Sequence, residues 1–333
     1  MPKEGVVVLY FSSPSSRLYS VPMQSGKGPG DGIPRMTRNV ICTKLLEGKT
    51  GVPMPEPYVI VERHNGVLKL TLNDPTTRNA LGPDMVKALF DELDRFEKDP
   101  NDRVLLLTGQ DPSFCSGANV RRFDQQAKER QEQTAGPTLP WGAMEASLGK
   151  RSEIEPNSGA LMPLRLHRLQ KPSIAAVNGH AIGVGMGLAL ACDIRVASEK
   201  ASFSEAFVRM GLVPGDGSCW QLPRLIGLSH TFLLQYTGDR IDGAEAYRIG
   251  LVSKLYPHDQ MMREAEALAL RIAQGPTFAI SLIKYLVHKS LDTNLEQSLE
   301  LANAVQEKVR DTEDHREAVR AFLEKRPPNF KGK

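Results

Sequence analysis

The sequence predicts an α/β fold made of a repeated strand, strand, helix unit and completed by a helical C-terminal region. Three observations carry that prediction. Short apolar runs alternate with segments of helical period from Tyr58 to Pro257, glycine-rich turns follow two of those runs, and beyond Pro257 apolar residues recur only at helical spacing.

Residues 1–56 are rich in Pro, Gly and Ser, with seven prolines from Pro14 to Pro57 interrupting any period, so a poorly ordered extension is expected. Arg17, Arg35 and Arg38 among serines suggest a transit peptide; Glu4 and Asp31 oppose it. From Tyr58 the runs Val59–Val61 and Val67–Leu72 predict a hairpin turning at Asn65-Gly66, which opens a core over residues 57–258. Pro83 begins a helix with Met85, Leu89, Leu93 and Phe96 on one face, and Val104–Thr108 reads as a buried strand.

A polar insertion over residues 125–158 precedes a helix from Leu161 to Leu169 and a strand from Ser173 to Val177. A glycine-studded helix from Gly183 to Ala191 follows, then strands at Ile194–Ala197 and Phe203, and helices near Gln221–Ile226 and Ala244–Gly250. Residues 259–333 form the helical region, with Met262, Leu268 and Ile272 facing one way, then Ile280, Ile283, Leu286 and Val287. A last helix starts near Thr312 and stops at Pro327-Pro328.

The 333 residues are 41% hydrophobic, enough for a sizeable core, and carry a net charge of +3, so no sign-dominated surface is implied and nucleic acid is not the default partner. Cys42, Cys115, Cys192 and Cys219 form no Cys-x-x-Cys pair, so neither a metal site nor a disulfide framework is indicated. The longest N-terminal apolar run, Val6–Phe11, is too short to span a membrane. A soluble cytoplasmic protein is expected, or a mitochondrial-matrix one if the extension is a transit peptide.

Two segments carry chemistry. Ser113-Phe114-Cys115-Ser116-Gly117-Ala118-Asn119-Val120 follows a strand and supplies small residues where the chain turns, so a ligand can approach the backbone. Val177-Asn178-Gly179-His180-Ala181-Ile182-Gly183-Val184-Gly185-Met186-Gly187 leads a strand into a helix, whose first-turn N–H groups have no partner in the helix and point outward. Two such donors aimed at one point make an oxyanion hole. Close helix-on-strand packing explains the glycines equally well. A dinucleotide fingerprint fits worse, because Leu188 stands where Gly183-x-Gly185 needs its third glycine.

Together these segments resemble the crotonase superfamily of enoyl-CoA hydratases and isomerases. The likeness extends from Tyr58 to Lys331 through Asn73-Asp74-Pro75, Asn79-Ala80-Leu81, Ala191-Cys192-Asp193-Ile194-Arg195, Gly211-Leu212-Val213-Pro214 and Phe322-Leu323-Glu324-Lys325-Arg326. It implies a crotonase-like spiral of the repeated unit with a C-terminal helical trimerisation region, a homotrimer or hexamer, and an acyl-CoA substrate. No separate cofactor is implied, since coenzyme A is part of the substrate. The oxyanion donors are then the N–H groups of Ala118 and Val184, and an ordinary helical conformation is required of Val184. The resemblance also places coenzyme A against Arg78, Ala80 and Ser116, and against Phe322 and Lys325, often from a neighbouring subunit.

The chain departs from that family where its hydratases carry two glutamates, since Gly187 and Phe207 occupy those positions. Ordinary hydration is therefore not expected, and double-bond isomerisation or another enolate-forming reaction takes its place. Asp216 is the leading replacement acid, although helix capping would also explain it, and Glu205 is a second candidate with a surface or ion-pairing role as its alternative. A non-catalytic acyl-CoA binder and a hydrolase are the rival readings. Asp193 reads as a structural partner of Arg195, Cys115 as a packing residue, and His180 as satisfied by backbone or polarising substrate. Trp141 could shape an acyl pocket, and Arg165, His167, Arg168 and Lys171 read as a solvated face rather than an RNA site.

Overall fold

The computed structural model describes residues 56–118 and 161–333. The expectations for the N-terminal extension and for Trp141 lie outside those residues. Strand β1 (Val59–His64) pairs antiparallel with β2 (Val67–Leu72), turning at Asn65 and Gly66, whose φ angles of 50° and 84° are those of a type I′ turn. After α1 (Pro83–Lys98), whose buried face carries Met85, Leu89, Leu93 and Phe96, the strands β2, β3 (Val104–Gly109), β5 (Ser173–Val177), β7 (Ile194–Ser198) and β10 (Lys254–Tyr256) align in parallel. The six-stranded order is β1-β2-β3-β5-β7-β10. Strands β3 and β5 are buried throughout, as expected of parallel strands covered on both faces.

A second sheet explains the repeat. Short strands β4 (Ser113–Cys115), β6 (His180–Ile182), β8 (Ser202–Ser204) and β9 (Ile241–Asp242) run side by side, so each unit gives one strand to each sheet before its helix. Those helices are α2 (Met162–His167), α3 (Val184–Ala191) and α4 (Ser218–Thr237). The sequence reading treats β4 and β6 as turns, because three residues are too few to show alternation. It also shortens α4, which runs through Pro223 and bends at Gly227. One core fills the space between α1, α2, α3 and the sheets.

The helical region begins after α5 (Gly243–Arg248) with α6 (His258–Ala273). Its buried face is Met261, Ala265, Ala269 and Ala273, packed on Val104, Leu106, Ile174 and Val196. Met262, Leu268 and Ile272 flank that face and do not form it, because alanines allow the helix to lie closer to the sheet. Then come α7 (Thr277–Ser290), α8 (Leu295–Arg310) and α9 (Glu313–Leu323), the last capped by Thr312. Helix α9 ends before Pro327, at a turn where Lys325 takes φ 54°. No described helix is long and apolar enough to cross a membrane.

Candidate active site

Three loops meet where the repeated units turn from strand to helix. The first, Asp74–Leu81, is fixed by Asn79, which is fully buried. Its Nδ2 donates to the carbonyls of Gln110, Ser113 and Phe114, and its Oδ1 accepts from Asp74 N. Arg78 and Asn79 both take left-handed conformations, with φ 57° and 60°. The second loop, Ser116–Ala118, is tied to the first: Ser116 N donates to Arg78 O, Ser116 Oγ to Thr77 O, and Leu81 N to Gly117 O beside a bridge between Leu81 and Ala118. Arg78, Ala80, Ser116 and Ala118 are thereby one surface.

The third loop is the turn from β6 into α3. Gly183 absorbs the turn with φ 51° and ψ −124°, leaving Val184 to begin α3 in the ordinary helical conformation required of a branched side chain. The second and third loops touch. A Cβ added to Gly117, whose φ is 100°, would lie 2.7 Å from Ile182 O and 3.9 Å from Val184 N. The backbone before Ala118 N is thus against the start of α3, and among the described residues neither Ala118 N nor Val184 N donates to a protein acceptor. Two N–H donors on adjoining turns can hold one oxyanion. The Phe207 ring closes one side, 3.8 Å from where a Gly183 Cβ would stand.

The acids sit one helical turn further in. Gly187 is three residues beyond Val184, about 4.5 Å along the helix axis. A Cβ on Gly187 would fall 2.3 Å from Asp216 Oδ2 and 2.8 Å from its Cγ. The Asp216 carboxyl therefore occupies the space a side chain at 187 would need. Asp216 Oδ1 accepts from Ser218 N at 3.1 Å, at the first residue of α4, but the N-cap position is Gly217 and not Asp216; Oδ2 is buried with no hydrogen-bond partner among the described residues. Burial raises its pKa, opposed by the bonds from Ser218. Asp216 also borders a cavity of about 1060 Å³ shared with Trp220, His167 and Tyr285.

Glu205 corrects the sequence reading of a surface or ion-paired residue. It is 0% exposed, and among the described residues no cation pairs with it. Its Oε2 accepts from Ser218 Oγ at 2.7 Å, and its Oε1 has no partner among the described residues. Burial first, and the Asp216 charge second, push it up to about 8. Sequence alone could not reveal this, because a single Glu between β8 and a 3-10 turn carries no periodic signal of its own orientation.

The expectations for Asp193 and His180 are also corrected. Asp193 pairs with Lys284 at 3.0 Å and accepts from Ser173 N, while buried Arg195 donates instead to the carbonyls of Leu251, Leu190 and Cys192. His180 lies on β6 and shares a hydrogen bond with Ser202 Oγ rather than with backbone. Cys115 is buried, its thiol pushed up to about 12 by desolvation, which suits packing and not nucleophilic attack. Arg165 pairs with Asp94 and Glu97, and Lys171 donates to the carbonyls of Phe96 and Asp99, which occupies much of the basic cluster. Phe322, 84% exposed, and Lys325 lie on α9 and its terminal turn; among the described residues no hydrogen bond or ion pair joins them to Arg78, Ser116 or Val184.

Comparison with known proteins supplies a consistent likeness. Residues 62–333 match the family model described as enoyl-CoA hydratase/isomerase. The 1,2-epoxyphenylacetyl-CoA isomerase of Escherichia coli K12 is 34% identical over 83% of this chain and 99% of its own length. The 2,3-dehydroadipyl-CoA hydratase of the same organism is 34% identical over 83% and 99%. Among solved structures, an enoyl-CoA hydratase from Bacillus anthracis superposes with a TM-score of 0.70 at 30% identity, covering 83% of this chain and 100% of that one.

Proposed function

This chain belongs to the enoyl-CoA hydratase/isomerase family, and we propose that within it the protein moves a proton on an acyl-CoA thioester through an enolate, by isomerising a double bond, rather than hydrating it with two glutamates. One observation carries the reading: the Asp216 carboxyl stands over Gly187, in the space a side chain there would fill. An isomerase and a hydratase among the relatives share the same 34% identity, so overall similarity does not choose between them. The acids do.

In this reading the thioester oxygen lies between Ala118 N–H and Val184 N–H, and the carbon chain passes Asp216. Asp216 then takes a proton from carbon; the C–H pair shifts into the enolate, whose negative oxygen the two donors stabilise more strongly than the neutral carbonyl. Returning the proton to a carbon two positions away completes the double-bond shift. Phe207 keeps water from the enolate. Arg78 and Ser116 offer polar contacts to coenzyme A, and Phe322 and Lys325 would reach it across a subunit boundary. Exposed Leu295, Leu299, Phe322 and Leu323 on α8 and α9 favour such an assembly, a homotrimer or hexamer.

The test is proton exchange. Incubated with 3-hexenoyl-CoA in D2O, the protein should incorporate deuterium and form the 2-enoyl isomer, and D216N should lower that rate at least about 10³-fold while still binding the ester. Exchange at the wild-type rate in D216N removes Asp216 as the base. Binding with no exchange on any enoyl-CoA identifies a non-catalytic binder, and release of free coenzyme A identifies a hydrolase.

A further inference from the structure

We propose that Glu205 and Asp216 form a carboxyl pair that holds one proton in the resting protein, with the proton on Glu205, the charge on Asp216, and Ser218 bridging them. This rests on the reading of Asp216 as the base and assigns Glu205 a positioning role through it.

The geometry gives three reasons. Both carboxyls are enclosed, at 0% and 2% exposure, and each presents one oxygen with no hydrogen-bond partner among the described residues. Two unpaired anions in such a site are costly, so one proton is retained. Next, Ser218 serves both groups, its N–H donating to Asp216 Oδ1 and its Oγ lying 2.7 Å from Glu205 Oε2. Finally, on α4 Ser218 bonds both carboxyls, Gln235 bonds Ser218 and Cys219 lies within electrostatic reach of both; none of these is cationic, and no described cation pairs with either carboxyl.

The location of the charge follows from the donors. Asp216 receives a backbone N–H at the start of α4, whose first segment runs from Ser218 to the bend at Gly227, and the N-terminal end of that segment also favours an anion. Glu205 receives only a hydroxyl, and that bond can reverse. Once Glu205 is protonated, its Oε2–H donates to Ser218 Oγ, which also accepts from Gln235 Nε2 at 3.4 Å. The serine proton is then free to turn toward Asp216. The upward push on Glu205, from burial and then from the Asp216 charge, agrees with this assignment.

The consequence is a constant charge through the proton step. As the substrate C–H bond breaks and the Asp216 O–H bond forms, the pair changes from one negative charge to none, and the negative charge reappears on the enolate oxygen between Ala118 and Val184. Glu205 exchanges no proton with substrate. It keeps the site from holding two charges at once.

The experiment combines 13C NMR of protein labelled at the glutamate δ-carbon with deuterium exchange on 3-hexenoyl-CoA. We expect one glutamate carboxyl titrating near pH 8, missing in E205Q, while folded E205Q at pH 7 loses no more than about tenfold in exchange rate against the 10³-fold expected for D216N. The wild-type rate should change its pH dependence near pH 8, and that break should be absent in E205Q. A Glu205 carboxyl already ionised at pH 7, or an E205Q as inactive as D216N though folded and binding ester, overturns the proposal. Full activity in D216N defeats instead the reading of Asp216 as the base, and the NMR titration still decides where the proton resides.

Discussion

The Asp216 carboxyl fills the space that any side chain on Gly187 would enter, with Oδ2 2.3 Å from where its Cβ would stand. The absence of a side chain at 187 and the presence of an acid at 216 are therefore one steric arrangement.

G187A tests that arrangement. The added methyl should displace Asp216, cutting turnover by at least about 10²-fold and costing about 1–3 kcal/mol of stability, as overpacking does. The double variant G187A/D216A should recover most of the stability and none of the activity, because the clash is gone and so is the base. Urea unfolding alongside exchange kinetics separates the two effects. Additive stability losses in the double variant would show that the two residues do not compete for space.

The approach of the two donor loops depends on Gly117. An alanine there would be strained at φ 100°, and its methyl would stand 2.7 Å from Ile182 O. G117A should move Ala118 N–H away from Val184 N–H and lower kcat by about 10²- to 10³-fold, the usual cost of losing one oxyanion donor. Affinity for the ground-state ester should change much less. A G117A protein with normal kcat would leave Ala118 without a role in the transition state.

Much of this is legible in the sequence, and the exceptions have physical causes. The hairpin at Asn65-Gly66, helix α1 and the parallel strands β3, β5 and β7 announce themselves through turn chemistry and apolar runs, whereas the three-residue β10 does not. Strands β4 and β6 do not, because three-residue strands in a second sheet look like the turns on either side of them. The proposed donors Ala118 and Val184 are backbone groups, which the resemblance to the crotonase superfamily singles out and side-chain chemistry does not. Glu205 escapes a sequence reading since its burial is decided by Ser218 and α4, which are more than ten residues away in the chain. The face of α6 escapes it too, because alanines, not the larger apolar residues, meet the sheet.

Asn79 shows how a single amide can position a binding loop. N79A would leave the carbonyls of Gln110, Ser113 and Phe114 without this donor, at a cost of about 2–3 kcal/mol. N79D should be worse, since it turns a carboxylate oxygen toward those same carbonyls. Both should raise KM for acyl-CoA more than they lower kcat, as Arg78 and Ser116 lose their common anchor. Calorimetric titration with a non-reactive CoA thioester measures this directly, and unaltered affinity in a folded variant would detach the loop from coenzyme A.

Glu205 makes stability depend on pH in a predictable sense. Its pKa rises from the ordinary glutamate value of 4.5 to about 8 in the fold, so between those values the folded chain binds a proton that the unfolded chain has released. Stability therefore falls as pH increases, by up to about 1.4 kcal/mol per unit from this group, and the contribution present below pH 4.5 is lost by the time pH passes 8. Glutamine cannot ionise, so E205Q should lack this decline and should be more stable than the wild type at about pH 8.5, while the difference narrows toward about pH 5. Denaturant unfolding of both proteins from about pH 5 to pH 9 measures the two slopes. Parallel slopes would mean that Glu205 is ionised in the folded protein, because a buried carboxylate that has already lost its proton contributes nothing to the pH dependence over that range.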